Sequence, residues 1–142
     1  MIVVDTSVWV SAHQSEDVHF SESLPWYEFW TARDLELHFP LLVVPEIAGV
    51  LSRKGIPPAD IAKSIGDLVG SRTSLLHELD LTNSLLAARV SASTGLKGAD
   101  AVFVALAAWL DRPLVTWDRQ QQERGGRFCR TMTPIEAMEV NG

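Results

Sequence analysis

Short apolar runs that halt at a polar residue alternate along this chain with longer segments whose apolar residues recur every three or four positions. Ile2-Val3-Val4 is a β-branched run stopped by Asp5 and reads as a buried strand. Asp5-Thr6-Ser7 offers N-cap side chains to a helix carrying Val8, Trp9, Val10 and Ala12. Ser23 to Asp34 predicts a second helix that bears Trp26, Tyr27, Phe29 and Trp30. Leu41-Leu42-Val43-Val44 reads as a second buried strand. Pro45 suits a first helical position, so a helix should follow through Glu46 to about Arg53 and stop at Gly55.

The same alternation continues to the end of the chain. Pro58 to Val69 and Leu81 to Ser93 have helical periods, with Ser74 to Leu79 a strand between them and Gly95 a stop signal after the second helix. Gly98-Ala99-Asp100 opens a helix to Leu110 that is apolar nearly all round and is therefore expected to be buried. Pro113-Leu114-Val115-Thr116 predicts a strand, Asp118 a helix start before Gly125-Gly126, Phe128 to Arg130 a short last strand, and Pro134 to Met138 a final helical turn. Strands alternating with helices imply a three-layer α/β/α sandwich around a mainly parallel central sheet. The 142 residues carry no internal repeat, low-complexity tract or linker, so a single domain spanning residues 1–142 is expected.

Composition narrows the class. Hydrophobic residues at 46% with charged residues at 21% exclude a disordered chain. Cys129, the lone cysteine, excludes an intrachain disulfide and argues against a cysteine-based zinc site. The start of the chain lacks the basic flank of a signal peptide, and the longest apolar run, Ala101 to Leu110, is too short to span a bilayer, so the expectation is a cytoplasmic protein without a membrane segment. The net charge of −6 lies wholly in residues 1–36, which hold seven acids and one base. That balance argues against holding nucleic acid by a broad basic face, but not against a nuclease whose acids hold metal.

Three acids lie just past expected strands: Asp5, Glu46 and Asp118. A fourth, Asp100, sits in the first turn of the most apolar helix. A parallel sheet gathers the carboxyl ends of its strands along one edge, so these distant positions can meet there. Clustered carboxylates repel and are tolerable only with protons or hard cations between them, and oxygen ligands of this kind suit Mg²⁺ or Mn²⁺. Each acid singly also fits a helix cap. Glu46 and Asp100 adjoin strongly apolar runs, where a carboxylate serving only as a cap is costly to desolvate.

Four segments carry a family resemblance. Ile2-Val3-Val4-Asp5-Thr6-Ser7-Val8-Trp9, Val44-Pro45-Glu46-Ile47, Gly98-Ala99-Asp100-Ala101 and Leu114-Val115-Thr116-Trp117-Asp118 resemble, in order, the motifs of PIN-domain ribonucleases, and most closely those of VapC-type toxins of toxin–antitoxin modules. The resemblance runs from residue 2 to about residue 120. It implies a PIN-like fold and a Mg²⁺- or Mn²⁺-dependent endoribonuclease with Asp5, Glu46, Asp100 and Asp118 as its acidic quartet. Asp5, Asp100 and Asp118 would ligate metal, while Thr6, Ser7 and Thr116 would orient a carboxylate or a bound water. It further implies an RNA substrate, a cognate antitoxin partner and a homodimer. Two departures stand out: Trp117 is bulkier than the family's usual residue, and the run at residues 26–30 is unusually aromatic.

Substrate contacts are sought near Asp118. Arg119 follows it directly, within a stretch that also holds Arg112, Arg124, Arg127 and Arg130, and these could either meet phosphates or form a solvated face. Trp117 is placed to stack on a base. His13, His19, His38 and His77 show no metal-ligand spacing. A haloacid-dehalogenase-type phosphatase would need an acid where Ser7 stands, a receiver domain an acid at Thr6, and no glycine-rich phosphate loop is present. The rival from another class is a PIN-fold module that binds RNA or protein without turnover.

Overall fold

The computed structural model describes residues 1–141. In chain order the elements are β1 (Ile2–Val4), α1 (Thr6–His13), α2 (Phe20–Thr31), β2 (Leu37–Pro40), α3 (Val43–Arg53), α4 (Pro58–Gly70), β3 (Ser74–His77), α5 (Leu81–Thr94), α6 (Gly98–Leu110), β4 (Leu114–Val115), α7 (Arg119–Gly125), β5 (Thr131–Met132) and α8 (Pro134–Asn141). The five strands form one wholly parallel sheet in the order β3-β2-β1-β4-β5. Helices α1, α2, α3, α4 and α8 pack on one another as one group, and α5, α6 and α7 as a second, giving the α/β sandwich expected from the sequence. No helix among the described residues is long and apolar enough to cross a membrane.

Hydrophobic burial holds the layers together. Ala101 to Ala107 of α6, Phe103 among them, are all buried, and α6 packs against β1 and β2, which is why that helix is apolar around its whole circumference. Each such large side chain, once buried, stabilises the fold by roughly 1.5–3 kcal/mol. The aromatic run of α2 belongs to this core: Trp26 and Trp30 are fully buried, and Tyr27 and Phe29 pack partly buried against them. This follows from the place of α2, which packs against both α1 and α8.

The second strand lies upstream of its expected place. Leu41 to Val44 are not a strand; Leu41 and Leu42 form a turn, and α3 begins at Val43, so Pro45 is its third residue. The apolar residues there serve a helical stripe, since Val43, Ile47 and Leu51 are buried at intervals of four. The true strand, Leu37-His38-Phe39-Pro40, is disguised by a polar residue and a proline. His38 is buried because its ring is satisfied on both sides: Nε2–H donates to Glu36 Oε2 at 3.1 Å, leaving Nδ1 to accept from His77 Nε2 at 2.7 Å. The last strand is likewise Thr131–Met132 rather than Phe128 to Arg130.

The order of strands fixes where a site can form. From β1 the chain builds outward through β2 to β3, then returns to place β4 on the other side of β1. The carboxyl ends of β1 and β4 therefore flank the point where the winding reverses, the usual location of a crevice in an open parallel sheet. Val4 pairs with Val115, and Asp5 N–H donates to the Val115 carbonyl at 3.0 Å, so Asp5 and Thr116 emerge side by side.

Candidate active site

Asp5 occupies that crevice with extended backbone and caps α1, its Oδ2 accepting from Ser7 N–H at 3.1 Å. Only 6% of it is exposed. Burial pushes its carboxyl above the ordinary aspartate range, while hydrogen bonds from Ser7, Gln121 and Thr116 oppose the shift. Gln121 Nε2 donates to Asp5 Oδ1 and to the Asp100 carbonyl, each at 3.3 Å. The Thr116 hydroxyl donates to Gln121 Oε1 at 2.7 Å and stands 3.3 Å from Asp5 Oδ2. The same hydroxyl accepts from Asp118 N–H at 3.0 Å, which ties β4 to the start of α7.

Glu46 reaches the crevice from the first turn of α3, where its Oε1 accepts from the Thr6 hydroxyl at 2.9 Å. Its carboxyl is raised by burial and by the charges of Asp5 and Asp100, with the Thr6 bond and Arg53 opposing. Asp100 comes from the first turn of α6 and is raised by burial and then by the charges of Asp118 and Asp5, against the opposing charge of Lys97. Asp118 is the N-cap of α7, its Oδ1 accepting from Gln121 N–H at 2.8 Å. Ser7 Oγ faces the next loop and accepts from Trp117 N–H at 3.3 Å.

Asp5, Thr6, Ser7, Glu46, Asp100 and Trp117 thus line one cavity of about 320 Å³. Asp118, whose charge acts on Asp100, and Arg119, exposed on α7, are not among the lining residues. The arginine stretch also turns elsewhere, with Arg127 donating to the Ser93 carbonyl at 3.1 Å. The cations that act on the acids are Lys97, beside Asp100, and Arg53, beside Glu46, and Lys54 lines the cavity itself. Sequence reasoning passed over these three, and it passed over Gln121. Gln121 carried a usable signal: an Asp followed three residues later by Gln is the spacing of a capping box. Here the amide turns inward to Asp5 instead of back to its own cap.

Three carboxylates raised by burial, Glu46 and Asp100 also by neighbouring acids, leave a surplus of negative potential that the neighbouring cations only partly offset. Hard oxygen donors with such a surplus match the chemistry of Mg²⁺ or Mn²⁺. Among the described residues no three acidic, histidine or cysteine side chains converge on one point as a ready cage. Mg²⁺ makes no such demand, since it keeps several waters and is commonly held by one or two carboxylates.

A family model described as the PIN domain matches residues 2–126. The chain belongs to the PIN-domain family. Solved PIN-like structures share its fold at low identity. The VapC20 toxin of Mycobacterium tuberculosis, titled as cleaving the sarcin–ricin loop, is 14% identical, with a TM-score of 0.73 over 89% of this chain and 95% of that one. VapBC2 of Rickettsia felis, solved bound to a promoter DNA fragment, is 12% identical, with a TM-score of 0.71 over 94% and 98%. FitAcB of Neisseria gonorrhoeae is 16% identical, with a TM-score of 0.66 over 95% and 99%. A search among curated proteins found no match.

Proposed function

We propose that this PIN-domain chain is a Mg²⁺- or Mn²⁺-dependent endoribonuclease and the toxin of a type II toxin–antitoxin pair. The observation that carries the reading is the meeting of Asp5, Glu46 and Asp100 around one cavity, each carboxyl raised by burial and the latter two also by neighbouring acids. Asp5 and Asp100 would hold the metal, with Asp118 as a water-mediated or second-ion ligand. When bound, the ion would supply charge to the scissile phosphate and a more acidic water for hydrolysis.

The chain's own residues define the rest. Gln121, Thr116 and Ser7 fix the Asp5 carboxylate in one orientation. Glu46, raised by burial, would be a stronger base than an ordinary glutamate toward an attacking water, and Thr6 aims it by donating to one oxygen. The half-enclosed cavity limits water around the reacting phosphate. Resemblance to the VapBC2 and FitAcB structures supports a cognate antitoxin as partner and self-association of the toxin, and the absence of a membrane-length helix accords with a cytoplasmic RNA substrate.

The test is incubation of the purified chain with total RNA, with and without Mg²⁺, beside an Asp5→Asn variant. Metal-dependent cleavage by the native chain and none by the folded variant is the expected result. RNA binding without cleavage across a Mg²⁺ and Mn²⁺ titration would overturn it in favour of a binding module without turnover.

A further inference from the structure

One wall of the cavity is aromatic and stands apart from Asp5, Glu46 and Asp100. It is built by the segment between α1 and α2, where the His19 ring stacks on Trp117 with centroids 4.0 Å apart and planes only 4° from parallel. Trp117 is held rigidly beneath, its indole N–H donating to Ser23 Oγ at 2.8 Å and its backbone N–H to Ser7 Oγ at 3.3 Å. Asp17 fixes the segment, accepting from His19 N–H at 2.9 Å and from the Nζ of Lys54, the C-cap of α3, at 3.3 Å. Val18, 86% exposed, projects beside the stacked rings into the same cavity.

We infer that His19, backed by Trp117, is a specificity-determining residue that stacks on an unpaired nucleobase of the substrate next to the bond cleaved at Asp5, Glu46 and Asp100. The inference rests on the endoribonuclease reading of those acids. A planar ring already held parallel on an indole offers its outer face to a second planar partner at little cost in ordering. The side chain of His19 is 37% exposed, with its Nδ1 3.5 Å from Glu22 Oε2. The cavity, about 320 Å³, is at the small end of ligand pockets, which span roughly 300–1,000 Å³, and suits one splayed nucleotide better than a duplex. Single-stranded RNA is read in this way, by unstacked bases laid on aromatic and histidine side chains.

The experiment measures binding of a short single-stranded oligoadenylate, of its abasic ribose-phosphate counterpart and of an adenylate–uridylate duplex to the full-length chain carrying Asp100→Asn. His19→Ala should weaken oligoadenylate binding about 5- to 150-fold, the range for one base–aromatic stack. It should leave the abasic strand unaffected, and His19→Phe should restore binding. Equal binding by the alanine variant, equal losses for the abasic strand, no rescue by phenylalanine, a preference for the duplex, or no binding of oligoadenylate would each overturn the inference. Cleavage of total RNA by the native chain is scored in parallel. Metal-dependent cleavage with a neutral His19→Ala result rejects only the stacking wall. His19-dependent binding without cleavage rejects only the nuclease reading.

Discussion

The side-chain amide of Gln121 donates to Asp5 Oδ1 at 3.3 Å across a sequence separation of 116 residues. Gln121 is fully buried, and all its polar atoms are used within the site: Oε1 accepts from Thr116, Nε2 serves Asp5 and the Asp100 carbonyl, and its backbone N–H donates to Asp118. One neutral residue therefore touches three of the motifs that hold the acids. Replacing Gln121 with Leu keeps the bulk but strands buried polar partners, at a cost of about 1–3 kcal/mol. Urea unfolding should show that loss, and RNA cleavage should fall with it; a variant as stable as the native chain would show that the network contributes little.

Asp100 gives a separate test through metal. Its charged form is disfavoured by burial and by Asp118 and Asp5, so Asp100→Asn removes a repelled charge and should leave stability without metal unchanged or higher. Mg²⁺ that binds the folded state raises the melting temperature of the native chain. The variant should lose most of that rise, and chelation should abolish it in the native chain. An undiminished Mg²⁺-dependent rise in the variant would remove Asp100 from the ligand set.

The approach of α7 to α6 depends on a missing side chain. A Cβ on Gly125 would lie 2.9 Å from Val104 Cγ2, inside any normal contact distance. Gly125→Ala should destabilise the fold by about 1–3 kcal/mol, as overpacking does. Because α7 begins at the Asp118 cap and carries Gln121, the push should also reduce cleavage. Adding Val104→Ala should recover part of both losses in thermal melts and activity assays.

His13 sets a pH dependence apart from the acids. Its Nδ1–H donates to the Trp9 carbonyl at 2.7 Å, and its ring stacks on Trp9 and meets Tyr27 edge-on. Burial lowers its pKa below the ordinary value, with the Trp9 bond and the charge of Asp67 opposing. The unfolded chain therefore binds this proton more readily. The stabilising contribution is full above the unfolded value of about 6.5 and is lost as pH falls through the lowered folded value. His77, lowered by burial and by His38, acts in the same direction. The raised carboxyls act in the opposite one, so the comparison must be with a variant. Urea midpoints at neutral and mildly acidic pH should fall more for the native chain than for His13→Phe; parallel curves would exclude His13 as the source.

The sequence displays those parts of the fold that depend on continuous apolar surface. Ile2 to Val4 and Gly98 to Leu110 are legible because a central strand and a buried helix need hydrophobic residues on every side. Strand β2 is illegible for the converse reason: His38 is buried only because His77 and Glu36 satisfy it, and neither partner is visible in a local window. Asp5 and Asp118 show themselves by lying just past strands β1 and β4. Gln121, Lys54 and His19 do not, because a neutral amide, a rim lysine and a loop histidine acquire a role only when the sheet brings their partners to them.

The pairing of β1 with β4 also sets the order in which the site can come into being during synthesis. Asp5 emerges from the ribosome more than a hundred residues before Thr116 and Gln121, which hold its carboxylate. Until then β1 lacks its β4 neighbour, α7 is absent, and Asp118 does not exist to act on Asp100. A nascent or prematurely terminated chain that ends before β4 carries three of the four acids without the frame that orients them. The centre is thus completed only once β4 and α7 have both been made.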